Sequence, residues 1–353
     1  MQIDFHHAVT YVVARFAGFD HDRARIVAHS AQYVDDATNG GEIRFDNGAM
    51  YHRISSAHKM LDYRNLEALA NHRAWIPFHF LPGNNGKQAH ENVEGEFINK
   101  IVCRPNSPVA QDMVAACIAD RHKAYGLHRL GIAMHVYADT WAHQGFAGVN
   151  HRINEADRIH VDGEEDQGFC ERIADFFADV IVGNAFPLGH GSVLSYPDRP
   201  YLRWSYENCW GERVERDNPT DFLTAADYMC RVMQRFLERE AVGLVEDQKA
   251  VLDHHLRTIK YDSGERRHAH WLKAIRHGEF DFGPEELIYV SKGVGSWKAH
   301  AIDCHAERDR ERHCYPFKSN FLSSDWKMFH DALQAHRFTV LHDILPKYGI
   351  CAA

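Results

Sequence analysis

Apolar residues recur at helical spacing along most of the chain. The run FHHAVTYVVARFAG over 5–18 is apolar on nearly all sides and closes on Gly18, which predicts a buried helix with a glycine stop. Asp20 is placed to cap a second helix over 21–35. Similar patterns predict helices over 57–72, 108–124, 126–144, 169–184, 219–240, 244–259, 266–277 and 325–344. Segments 36–56, 75–95 and 189–208 are rich in Gly, Asn, Asp or Pro and read as structured loops, the first with a little extended backbone. Long polar/apolar alternation and βαβ spacing are both absent. The pattern predicts an all-α fold. It comprises a helical core over 1–215 and a helical C-terminal extension over 216–353 packed on it, or a single domain spanning both.

One predicted helix carries chemistry. In LGIAMHVYADTWAHQGF, His135, Asp139 and His143 follow one another at four-residue steps. Four residues advance a helix by about 400°, so each side chain lies only about 40° round from the last. His128, seven residues before His135, shares the stripe. Ile132, Ala133, Val136, Tyr137 and Trp141 fill the rest of the surface, which predicts burial. A buried carboxylate between imidazoles needs a compensating partner, and a zinc-class cation matches those ligand types.

Other stretches offer further ligands. Asp4, His6 and His7 open the chain. Neighbours on a helix diverge by about 100°, so only one of the two histidines can share a site with Asp139. Asp35 and Asp36 end an apolar helix, where the dipole disfavours anions and a cation would offset the strain. His79 sits between Phe78 and Phe80, ahead of Pro82 and Gly83, in a rigid turn that suits a packed ligand. His190 lies between two glycines that allow close backbone approach. His151 and Glu155 are four residues apart, and His52 and His58 are weaker candidates.

Composition narrows the function. Histidine is abundant, at 27 of 353 residues, without a poly-His tract. The net charge of −9 and the lack of a basic stripe argue against an extended nucleic-acid surface. The eight cysteines never form CxxC, so free thiols are expected rather than a disulfide framework or a thiolate zinc site. No basic segment followed by an apolar stretch opens the chain, which predicts a cytoplasmic protein, signal-less secretion being the other route. No membrane span is expected either.

LGIAMHVYAD resembles the Leu-Gly-x-Ala-x-His-x-x-x-Asp signature of bacterial zinc-dependent phospholipases C and S1/P1 nucleases. The order of an early His (His6 or His7), Tyr33-x-Asp35, His79 before a Gly-Asn-Asn-Gly-Lys turn, His135, Asp139 and a later His143 is similar too. The likeness covers roughly residues 4–155, and the chain as a whole resembles an uncharacterised bacterial family distantly related to these enzymes. It implies a multi-helix bundle of that type holding two or three zinc ions. Asp35, His79, His135 and Asp139 would hold one. Asp139 would bridge to a second near Asp4 and His6. His143, with His151 and Glu155 or with His190, would hold another. Those enzymes use a free N-terminal amine as a ligand, and here either Asp4 substitutes or the third metal is absent. The implied activity is hydrolysis of a small-molecule or lipid phosphoester by metal-activated water, with Asp35 or Asp36 orienting the nucleophile or taking its proton. Trp141, Phe146, Tyr196, Tyr201 and Trp204 would line a cleft or fill the core.

Three other readings compete, one of them that the N-terminal half is a degenerate relative of these enzymes and the C-terminal half binds a protein partner. A metal-binding or interaction protein would have closed coordination without an exchangeable water. An HD-type phosphohydrolase needs an adjacent His-Asp dyad, and His21-Asp22, His330-Asp331 and His342-Asp343 are available. The last has the best apolar setting but almost no chain after it.

Overall fold

The computed structural model describes residues 1–57, 68–162, 189–304 and 314–351. The helix predicted over 169–184, and His58, lie outside the described residues. A wide-turned segment, Asp4–Val9, runs directly into α1 (Thr10–Ala17), and Gly18 ends it in the left-handed conformation with φ 105°. Asp20 caps α2 (His21–Asp36) by accepting the Arg23 N–H. The helices α3 (Ala68–Phe78), α4 (Ile98–Ile101), α5 (Pro108–Ala119) and α6 (Gly126–Ala142) follow. The later part supplies α7 (Asn218–Phe236), α8 (Glu246–Thr258), α9 (Gly264–His277), α10 (Trp297–Ile302) and α11 (Asp325–Phe338).

The fold is mostly helical, not all-α. β1 (Gly41–Arg44) and β2 (Met50–Arg53) form an antiparallel hairpin. β3 (Ala156–Val161), β4 (Arg203–Asn208) and β5 (Arg213–Asp217) form an antiparallel sheet in that order. The strands are four to six residues long, too short for a period of two to stand out. Moreover, β3 and β4 lie far apart in the chain, so their pairing leaves no local trace. β4 occupies the end of the 189–208 stretch expected to be a loop.

Helix α6 runs through the centre, with every residue from His128 to Ala142 buried. The largest apolar core surrounds it and draws on Phe5, Val12 and Leu130 as well as Phe222, Met233, Trp271 and Ile344, so both expected segments contribute to one core. A second cluster gathers Tyr33, Trp297, Phe321, Trp326 and Phe329 at the C-terminal end of α2. No helix of the described residues is long and apolar enough to cross a membrane.

The position of α6 depends on Gly131. A Cβ there would stand 2.3 Å from the Val27 carbonyl oxygen and 2.5 Å from the Ser30 Cβ, so the bare backbone lets α6 lie directly against α2. That contact brings the His135 ring to the Ala31 carbonyl. Gly131→Ala is therefore expected to destabilise the fold by about 1–3 kcal/mol, because overpacking against backbone outweighs the roughly 1 kcal/mol gained from helix propensity. Urea denaturation measures this, and a stabilised variant would show that the two helices can separate freely.

Candidate metal centre

The stripe on α6 faces inward and meets five side chains from four other parts of the chain. His6 comes from the wide-turned segment before α1, Asp35 from the end of α2, and His79 from the residue after α3. His190 and Asp198 come from the loop before β4. Asp139 lies at the middle. Its Oδ1 is 2.7 Å from the Met1 amine and 3.2 Å from His6 Nε2. Its Oδ2 is 3.3 Å from His135 Nε2 and 3.6 Å from both His79 Nδ1 and His143 Nδ1. Asp35 Oδ1 lies 3.8 Å from His79 and from His135. Asp198 is 3.4 Å from His143 Nε2, 3.5 Å from His190 Nε2 and 3.0 Å from the Met1 amine.

Backbone carbonyls orient four of these rings. His135 Nδ1 bonds to the Ala31 oxygen at 2.8 Å, and His143 Nδ1 to the His79 oxygen at 2.7 Å. His190 Nδ1 reaches the Leu194 oxygen at 2.8 Å, and His79 Nε2 the Ser56 oxygen at 3.1 Å. A carbonyl only accepts, so the bonded nitrogen carries the proton and the other nitrogen of a neutral ring presents a lone pair. Burial lowers the pKa of His135 to about 4 and that of His6 to about 4, so these rings are neutral. The consequence is a crowd of acceptors. His135 Nε2 and His79 Nδ1 face each other at 3.2 Å, each also beside Asp139 Oδ2. Oδ2 of Asp139 and Nδ1 of His6 are buried with no hydrogen-bond partner, while Oδ1 of Asp139 and Oδ1 of Asp198 both face the Met1 amine.

Lone pairs packed together without donors repel, and a cation among them removes the repulsion. The donor set fits such ions. Among the described residues, His6, Asp35 and His135 form one group whose ligand atoms lie within 4.8 Å of one another. His79, His135 and Asp139 form a second, and His143, His190 and Asp198 a third. Imidazole nitrogens oriented by carbonyls, together with carboxylates, are typical of zinc-class sites. The Met1 amine is a positive group between two of the carboxylates. Burial opposes its charge, but Asp139 and Asp198 outweigh that and hold its pKa at about 11.

Several expected residues gather here: His6, Asp35, His79, His135, Asp139, His143 and His190. Others do not. Asp4, expected as a ligand, instead pairs with Arg267, whose Nε lies 2.6 Å from its Oδ2, and the Met1 amine stands beside Asp139 and Asp198. Asp36, expected to orient a nucleophile, accepts the Tyr289 O–H at 2.6 Å, because it lies about 100° round α2 from Asp35. His7 turns away to share a hydrogen bond with His268 at 2.9 Å, and His128 pairs with Asp325. His151 caps a short turn through the Ile153 N–H, Glu155 is exposed, and neither reaches the centre. Trp141, Phe146, Tyr196 and Trp204 are core packing, and the Tyr201 hydroxyl bonds to Asp262.

Asp198 is the candidate ligand that sequence reasoning missed. Its one signal was an acid held in a Pro- and aromatic-rich loop, Tyr196-Pro197-Asp198-Arg199-Pro200.

No curated protein and no solved structure matches the chain. Residues 1–344 match a family model described as a family of unknown function (DUF6765), and the chain belongs to that family.

Proposed function

We propose that the chain is a zinc-dependent hydrolase acting on a phosphoester. The observation that carries the reading is the convergence of His6, Asp35, His79, His135, Asp139, His143, His190 and Asp198 into three groups whose ligand atoms lie within 4.8 Å of one another. The Met1 amine supplies a single positive charge beside two of these carboxylates, and burying so many imidazole and carboxylate groups together costs free energy that bound cations offset. When bound, zinc-class ions lower the pKa of a water towards neutrality and take up charge growing on phosphoryl oxygens.

The chain's own groups have distinct parts. Asp139 is the shared carboxylate, since it contacts four of the five imidazoles. His135 belongs to two of the three ligand groups. The carbonyls of Ser56, Ala31, His79 and Leu194 hold the rings so that little reorganisation accompanies metal binding. Asp35 differs from the others in exposure: a third of its side chain is open to solvent, against 1% for Asp139. It is the carboxylate that a water and an incoming phosphoester can reach, and its role is to orient that water or take its proton.

The test is elemental analysis of protein purified without added metal, joined to hydrolysis of bis-p-nitrophenyl phosphate. Bound zinc and a hydrolysis rate removed by chelation and by His135→Ala are the expected results. Bound metal with no hydrolysis of any phosphoester tried would instead support the metal-binding, non-catalytic reading. Protein free of metal even after incubation with zinc would overturn both.

A further inference from the structure

A second feature lies at the C-terminal end of α2. Arg53 of β2, Lys298 of α10 and Lys292 of the loop before α10 line one small hollow that opens to solvent. Asp36 is the single carboxylate among the lining residues, and it is already engaged by the Tyr289 hydroxyl and the Gln32 amide. This is a local reversal of sign in a chain of net charge −9. Lys298 is 8% exposed. Burial first, and then the charge of Arg53 nearby, lower its pKa to about 8. His330, 2% exposed, also lines the hollow; its ring bonds to the Ile54 backbone while its Nδ1 has no partner.

We propose that this hollow binds phosphate, either free or as the terminal group of a phosphate monoester. Three cations brought to one hollow, Lys298 buried, Arg53 half-buried and Lys292 exposed at its mouth, favour a compact, multiply charged oxyanion, and the guanidinium fork of Arg53 matches two of its oxygens. Hydrogen phosphate has a further advantage, because its P–OH can donate to an acceptor nitrogen such as His330 Nδ1. Arg53 and Lys298 also make contacts of their own within the fold, and the phosphate adds to these. Asp36 at this hollow and Asp35 at the ligand cluster are consecutive residues, and the Gln32 amide reaches both. The inference does not depend on the metal reading.

Calorimetric titration of the full chain with inorganic phosphate, and separately with glycerol 3-phosphate, tests it. Binding is expected in the wild type, weakened at least tenfold by Lys298→Met and by Arg53→Met, and kept by His135→Ala. Lys298→Met replaces a buried charge with an apolar side chain of similar shape, a change that proteins commonly tolerate. Lys292→Met, at an exposed position, keeps the test open if that variant fails to fold. Heat from inorganic phosphate alone assigns the site to free phosphate, and heat from both assigns it to monoesters as well. No binding of either, binding unchanged in all three hollow variants, or binding lost only in His135→Ala would overturn the proposal.

Discussion

Asp139→Ala is expected to cut phosphodiester hydrolysis by more than about 100-fold, past the 10–100-fold that loss of an outer partner costs a metal site. Metal content should fall in step. The reason is position: the two oxygens of Asp139 touch His6, His79, His135, His143 and the Met1 amine, so no other side chain can replace it. Burial works against its charge, but His143 and the Met1 amine outweigh that and hold the carboxyl well below its ordinary pKa. Removing it leaves the buried amine with Asp198 as its remaining close anion. Breaking a buried ion pair costs about 3–5 kcal/mol, and stability should drop by that order. Asp139→Asn keeps the shape and removes the charge, so it should lose metal while unfolding less readily. Elemental analysis, urea denaturation and the hydrolysis rate read the three effects. Full metal occupancy in either variant would remove Asp139 from the centre.

Arg267→Ala should destabilise the fold by a similar amount, about 3–5 kcal/mol, while leaving metal content unchanged in the folded protein. Arg267 is wholly buried, with Nε 2.6 Å from Asp4 Oδ2, Nη2 2.7 Å from Gln2 Oε1 and Nη1 on the carbonyls of Tyr261 and Asp262. Without it, Asp4 is a buried carboxylate with its pKa pushed up by burial and no guanidinium to oppose the shift. Replacing both partners by apolar residues, Asp4→Leu with Arg267→Met, should recover much of the loss, since a buried pair often exchanges for packing at little cost. Denaturation with metal analysis of the single and double variants decides the matter. Metal loss from Arg267→Ala with stability intact would return Asp4 to the ligand set.

These two residues also show how far local pattern reaches. The stripe on α6 was legible because it needs only the helical repeat: His135, Asp139 and His143 share a face whatever surrounds them. The long helices were legible for the same reason, as were the stop at Gly18 and the cap at Asp20. The sheet of β3, β4 and β5 was not, because short strands draw their stability from partners remote in sequence.

Direction was likewise beyond the sequence. Asp35 and Asp36 are adjacent and chemically identical, yet one turns to the ligand cluster and the other to Tyr289. Asp4 and His6 begin the same turn, and a buried Arg267 takes the first from the centre while the second stacks on His135 at 3.7 Å. The sequence by itself determined which residue types lie on each helix and which helices are buried. Only the tertiary structure decided that Asp198 joins the centre and that Asp4, Asp36 and His7 leave it. Side-chain partners 55 to 263 positions away compete for each buried charge, and hydrogen-bond geometry in the packed interior settles that competition.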